Sequence, residues 1–159
     1  MKKKHPSEAF KVYVDRLLHG EVEHIEETVP PDFMEMDADD EAQFATPVHF
    51  VGEAYLAEGT LLLHLEVTTE VSLPCAICNQ AVALPLYVPK FYHTVPLADI
   101  KGAIFYIDAV LREAILLELP HFPECGGGKC PERESLKPFL SPSKGIATKE
   151  EKYYPFKDL

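Results

Sequence analysis

Four cysteines carry the most specific chemistry in this sequence. Cys75 and Cys78 stand at C-x-x-C spacing in EVSLPCAICNQAVALPLYV. Cys125 and Cys130 follow as a C-x4-C pair in ECGGGKCPER, with 46 residues between Cys78 and Cys125. Four thiolates are a donor set for tetrahedral zinc, and two pairs on separate turns supply that geometry. Gly126, Gly127 and Gly128 would let the second pair wrap back, because glycine accepts positive φ. The second spacing is long for a zinc knuckle, and His121 is a substitute ligand. Two other readings stay open. A buried cysteine often packs as a small hydrophobe. A redox C-x-x-C needs a helix N-terminus to lower the thiol pKa, and here a strand pattern follows with no basic neighbour.

No other constellation suggests catalysis. No glycine-rich phosphate cradle precedes a helix. The seven histidines are scattered, and His64 falls on the polar face of a strand. The expectation is a chain that is not an enzyme.

The elements that must position the cysteines are partly legible. The run from Thr60 to Val71 alternates strictly: Leu61, Leu63, Leu65, Val67, Thr69 and Val71 share one face, while Thr60, Leu62, His64, Glu66, Thr68 and Glu70 share the other. Such alternation suits a half-buried antiparallel strand. Glu58-Gly59 before it is a hairpin signal. Val82, Leu84, Leu86 and Val88 alternate after the first cysteine pair, and Pro85 among them implies an edge or a bulge. Cys75 and Cys78 therefore sit at a turn between two strands. FKVYVDRLLHG opens as a short strand, and PPDFMEMDADDEAQ reads as an acidic loop or single helical turn. YIDAVLREAILLELPHFP is the one convincing helix, expected over 108–119. Asp108 would cap it, Val110, Leu111, Ala114, Ile115 and Leu117 form its apolar stripe, and Pro120 stops it.

The expected fold class is α+β: an antiparallel sheet curled towards a barrel, one main packing helix, and an irregular C-terminal tail. Residues 1–140 read as a single domain and 141–159 as a flexible tail.

The chain has 159 residues and a net charge of −11, unevenly spread. Residues 1–40 hold 5 Lys/Arg against 11 Asp/Glu, residues 41–100 hold 1 against 6, and residues 101–159 hold 9 against 9. The first hundred residues therefore repel phosphate, which excludes a basic nucleic-acid groove there. MKKKHPSEAF imitates a signal n-region, but a charged segment follows it. No run is long enough to span a bilayer. The expectation is a cytoplasmic chain with no membrane partner, whose thiols are free or metal-bound rather than paired in disulfides.

The order of these features resembles the YceD-like family of large ribosomal RNA subunit accumulation proteins. The resemblance covers roughly residues 45–135. Its residues are Cys75 and Cys78 between strands, the helix carrying Glu113, Leu116, Leu117, Leu119 and Pro120, and Cys130-Pro131 after a glycine turn. A further cysteine usual in the family two residues beyond that proline is Arg133 here, which leaves Cys125 and Cys130 to complete any site. The resemblance implies a single YceD-like α+β domain and a role in accumulation or processing of large-subunit ribosomal RNA, acting by binding. Structural zinc on Cys75, Cys78, Cys125 and Cys130 is the expected cofactor. The expected partner is the large-subunit ribosome precursor, met through a basic ribosomal protein, whose charge complements the acidic body, or through ribosomal RNA. Direct RNA contact would use Lys129, Arg133, Lys137, Lys144, Lys149 and Lys152, with Tyr153, Tyr154 and Phe156 available for stacking. The competing functions are a zinc-stabilised interaction module with no ribosomal role, and a thiol redox enzyme.

Overall fold

A computed structural model describes residues 7–140. Phe10 ends a short 3-10 turn that leads into β1 (Lys11–Tyr13), and a second such turn, Val14–Leu17, follows. Then come β2 (Glu23–Val29), the 3-10 turn Pro31–Met34, β3 (Val48–Ala57), β4 (Thr60–Pro74) and β5 (Ala81–Pro96). β6 (Ile104–Tyr106), α1 (Asp108–Leu117), the single turn α2 (Cys125–Gly128) and α3 (Arg133–Leu140) complete the order. Among the described residues no helix is long and apolar enough to cross a membrane.

Four strands form one antiparallel sheet in the order β2-β3-β4-β5, and β1 and β6 form a separate antiparallel ribbon. The alternation in β4 places its side chains as expected: Leu61, Leu63, Leu65, Val67 and Val71 are buried. Glu58 and Gly59 both take positive φ, 49° and 74°, which is the requirement of a tight hairpin turn.

The sheet is not a closed barrel, and the expectation of one is corrected. Among the described residues β2 and β5 are its two edges and do not pair. β5 carries Pro85, Pro89 and Pro96, residues that lack the N–H a further ladder would need. Pro89 and Lys90 together oppose Glu66, because the register jumps between Leu65–Phe91 and Val67–Val88. This bulge bends the edge strand.

Instead of curling shut, the sheet is covered on its apolar face. Phe10 stacks on Phe50 of β3 with ring centroids 6.0 Å apart and meets Phe33 at 4.9 Å. Leu111 and Ile115 of α1 are buried in the same core as the strand side chains. The Arg112 Nε donates to the Met34 carbonyl at 2.6 Å, tying α1 to the Pro31–Met34 turn.

The ribbon also decides where α1 starts. Ile107 donates its N–H to the Phe10 carbonyl at 2.9 Å, and its own carbonyl accepts from Leu111 at 2.9 Å. Ile107 is thus the N-cap, and Asp108 is the first helical residue without a side-chain capping bond. Asp108 still suits the positive end of the helix dipole. The helix ends at Leu117, two residues earlier than expected, where Glu118 and Leu119 bond back three residues and tighten the last turn. Leu117, assigned to the apolar stripe, is 76% exposed.

Two strands are not legible in the sequence. β2 buries only Ile25 and Val29 between charged residues, and β6 has three residues whose partners lie about ninety positions away. The stretch after Pro120, which shows no regular period and is expected to be loop, is corrected as well, since Arg133–Leu140 is helical. Glu134 in its first turn suits the dipole and pairs with Lys137 one turn on, at 2.6 Å. Residues 141–159, including Lys144, Lys149 and Lys152, lie outside the described residues.

Candidate metal centre

The first cysteine pair occupies the turn between β4 and β5. Pro74 and Ala81 are the last paired residues of the two strands. Inside the turn, Cys75 donates its N–H to the Gln80 carbonyl at 2.8 Å, and Asn79, at φ 62°, donates to the Cys75 carbonyl at 2.9 Å. This folds the chain around the Cys75 sulfur, which accepts from the Ile77 N–H at 3.4 Å.

The second pair is brought to the first by backbone contact. Ala76 donates to the Pro123 carbonyl at 2.7 Å, and the Cys125 N–H reaches the Cys75 Sγ at 3.4 Å. Gly126, Gly127 and Gly128 take φ of 65°, 65° and 92°, so the wrap-back needs the glycine run that the sequence offers there.

The four sulfurs of Cys75, Cys78, Cys125 and Cys130 all lie within 4.8 Å of one another. Cys78 and Cys125 are 3.6 Å apart, too far for a disulfide, and all four cysteines are free. A tetrahedral zinc ion with Zn–S bonds of about 2.3 Å needs sulfurs about 3.8 Å apart. The cluster therefore fits such an ion. His121 is exposed and is not a member of the cluster.

The electrostatics of the thiols are uneven, and of Cys75, Cys125 and Cys130 only Cys75 is poised as a thiolate ligand. Backbone N–H groups, that of Cys78 foremost, lower the Cys75 thiol to about 6. Its hydrogen bond with Cys130 raises the Cys125 thiol to about 12, and burial raises that of Cys130. A low thiol pKa also marks catalytic cysteines. Cys75, however, is only 2% exposed, and the one helical turn that meets it, α2, is broken by left-handed Gly126 and Gly127. Burial among three other sulfurs favours ligation over nucleophilic attack.

One member of the site carries no cysteine-like signal in the sequence. Glu124 accepts the Cys130 N–H at 2.9 Å and holds Arg133 through two hydrogen bonds, at 2.9 and 2.8 Å. The Arg133 guanidinium holds the Glu124 carboxyl at about 2, well below the usual range. Arg133 stands where the resemblance would place a cysteine, and it supports the second knuckle through Glu124.

Three of the six proposed RNA-contacting residues, Lys129, Arg133 and Lys137, are among the described residues. Lys129 is exposed beside the cluster, Arg133 is engaged by Glu124, and Lys137 by Glu134.

No family model, no curated protein and no solved structure matches this chain.

Proposed function

We propose that this protein is a binding factor without a reaction of its own, held together by structural zinc, that acts in the cytoplasm on large-subunit ribosome precursors. The observation that carries the first half is the convergence of Cys75, Cys78, Cys125 and Cys130. Four protein thiolates fill a tetrahedral ion and leave no position for water or substrate, which is the arrangement of structural rather than catalytic zinc. The metal would fasten the segment after α1 to the β4–β5 turn.

The ribosomal half rests on the YceD-like resemblance and on charge. An acidic body suits a basic ribosomal protein better than bare RNA. The alternative, the same module with a partner unrelated to ribosomes, is favoured by the engagement of Arg133 and Lys137 with carboxylates, which leaves few described cations for RNA. Co-sedimentation with large-subunit precursors in cell lysate separates the two. Enrichment in precursor fractions is expected, and uniform absence from them would leave only the general module.

A further inference from the structure

The four-stranded sheet has a second face, opposite the buried one, that the described residues leave open. Its register lines up a row across all four strands: His24 with Glu53, Glu53 with His64, and His64 with Tyr92. The next row runs Glu26, Val51, Glu66 and meets the Pro89–Lys90 bulge. Tyr92 is 65% exposed and Tyr87 is 51% exposed, and Glu26, Glu66 and Glu70 are exposed as well.

We propose that this face docks an extended, arginine- and lysine-rich segment of a protein partner. The assignment rests on the binding reading above and names the surface and the chemistry it takes. Four carboxylates, those of Glu26, Glu53, Glu66 and Glu70, lie on the face, and none forms an ion pair among the described residues. The face carries no arginine, and Lys90 in the bulge is the single Lys or Arg of β2 to β5. Its charge is therefore complementary to a cationic segment. Exposed tyrosines beside carboxylates add cation–π contacts for guanidinium groups. The same charge opposes the two other occupants. A second copy would bring the same carboxylates against these, and RNA would bring phosphates.

The test uses the full chain and a fluorescein-labelled peptide in which Arg and Lys alternate with Gly and Ser, followed by fluorescence anisotropy. E53Q/E66Q/E70Q removes charge from the face. E35Q/D39N/E41Q removes the same charge from the loop before β3, whose Met34 turn lies against α1 on the other side of the sheet. The face variant should weaken peptide binding about tenfold or more, and the loop variant less than about twofold, since only close charge pairs act strongly. All six substitutions are isosteric, and matched melting temperatures exclude unfolding as the cause. Peptide-induced amide shifts in the wild-type protein should fall on β3, β4 and β5.

Equal weakening by both variants would mean that net charge alone acts, and the proposal would fall. It would also fall if the peptide did not bind at low salt, if the shifts mapped to α1, if bare RNA bound the same face more tightly, or if removal of residues 141–159 freed the face for tighter peptide binding. Ribosomal outcomes are read separately. If wild-type protein co-sediments with precursors and the face variant does so equally, the surface is wrong and the ribosomal reading stands. If neither co-sediments but peptide binding is specific to the face, the surface stands without the ribosome.

Discussion

The sulfurs of Cys78 and Cys125 lie 3.6 Å apart although 46 residues separate them in the chain. That approach joins the β4–β5 turn to the segment beyond α1. Protein purified under reducing conditions should hold one zinc per chain by elemental analysis. Serine at either position should abolish it and lower the melting temperature by on the order of 10 °C, the scale of losing a ligand held far above its Kd. Because the hydrogen bond with Cys130 and burial push the Cys125 thiol up to about 12, zinc must displace its proton at neutral pH. Calorimetry in two buffers of different ionisation enthalpy should show proton release, and affinity should fall as pH is lowered. Unchanged melting on chelation would contradict a structural role.

Gly52 should not tolerate a side chain. A Cβ there would lie 1.9 Å from the His64 carbonyl oxygen and 2.8 Å from the Leu65 Cα. Both are backbone atoms of β4 and have little room to move. Gly52→Ala should cost on the order of 3 kcal/mol through forced separation of β3 and β4, read as a lower urea midpoint. A midpoint within error of wild type would show that the strands are not held so close.

His93 should make stability fall in mild acid. Its ring stacks between Phe91 and Phe105, with centroids 6.2 and 6.0 Å away, and burial lowers its pKa below 6.5 despite Glu113. The unfolded state then binds a proton more readily than the folded one. Stability is complete above about 6.5 and is lost as pH drops through the folded pKa. His93→Phe should flatten the pH dependence of the melting temperature in that window.

The tail lysines should account for what little affinity exists for bare RNA. Ending the chain after Leu140 removes Lys144, Lys149, Lys152 and Lys157 and leaves the Glu124–Arg133 pair in place. Full-length protein should bind large-subunit RNA weakly at physiological salt. Each phosphate that the tail neutralises should contribute about 0.7–0.9 to the log–log salt slope, so the truncated chain should show a flatter one. Identical slopes before and after truncation would place the RNA-binding cations elsewhere.

What is legible in the sequence has local causes. The period of β4 and the Glu58-Gly59 turn are written in neighbouring residues, and so is the turn that carries Cys75 and Cys78. The convergence of the two cysteine pairs follows from the chemistry of four thiolates and a glycine run. What stays hidden depends on distant partners. β2 alternates too weakly to announce itself, and Ile25 and Val29 are buried only because β3 lies alongside. Asp108 has the chemistry of a cap, but the Phe10–Ile107 hydrogen bond sets the cap one residue earlier, at Ile107. The period-2 run beside a single helix suggests a sheet curled towards closure. Edge prolines and the cover supplied by Phe10 and α1 decide against it. Arg133 has the charge to meet phosphate, and only the fold shows Glu124 waiting for it.

The β1–β6 ribbon imposes an order of events on synthesis. Tyr13 pairs with Ile104, and Phe10 meets Ile107. At about 5–20 residues per second, the first strand waits on the order of 5–20 s before its partner has even been polymerised. Through that interval Phe10, Val12, Val14 and Leu17, all buried in the finished protein, have no partner from the ribbon or α1. The β2–β5 meander can form meanwhile from neighbours in sequence, and its apolar face, Phe50 included, is the nearest shelter for them. These side chains therefore cannot gain their ribbon and α1 contacts until residues 104–115 have been made.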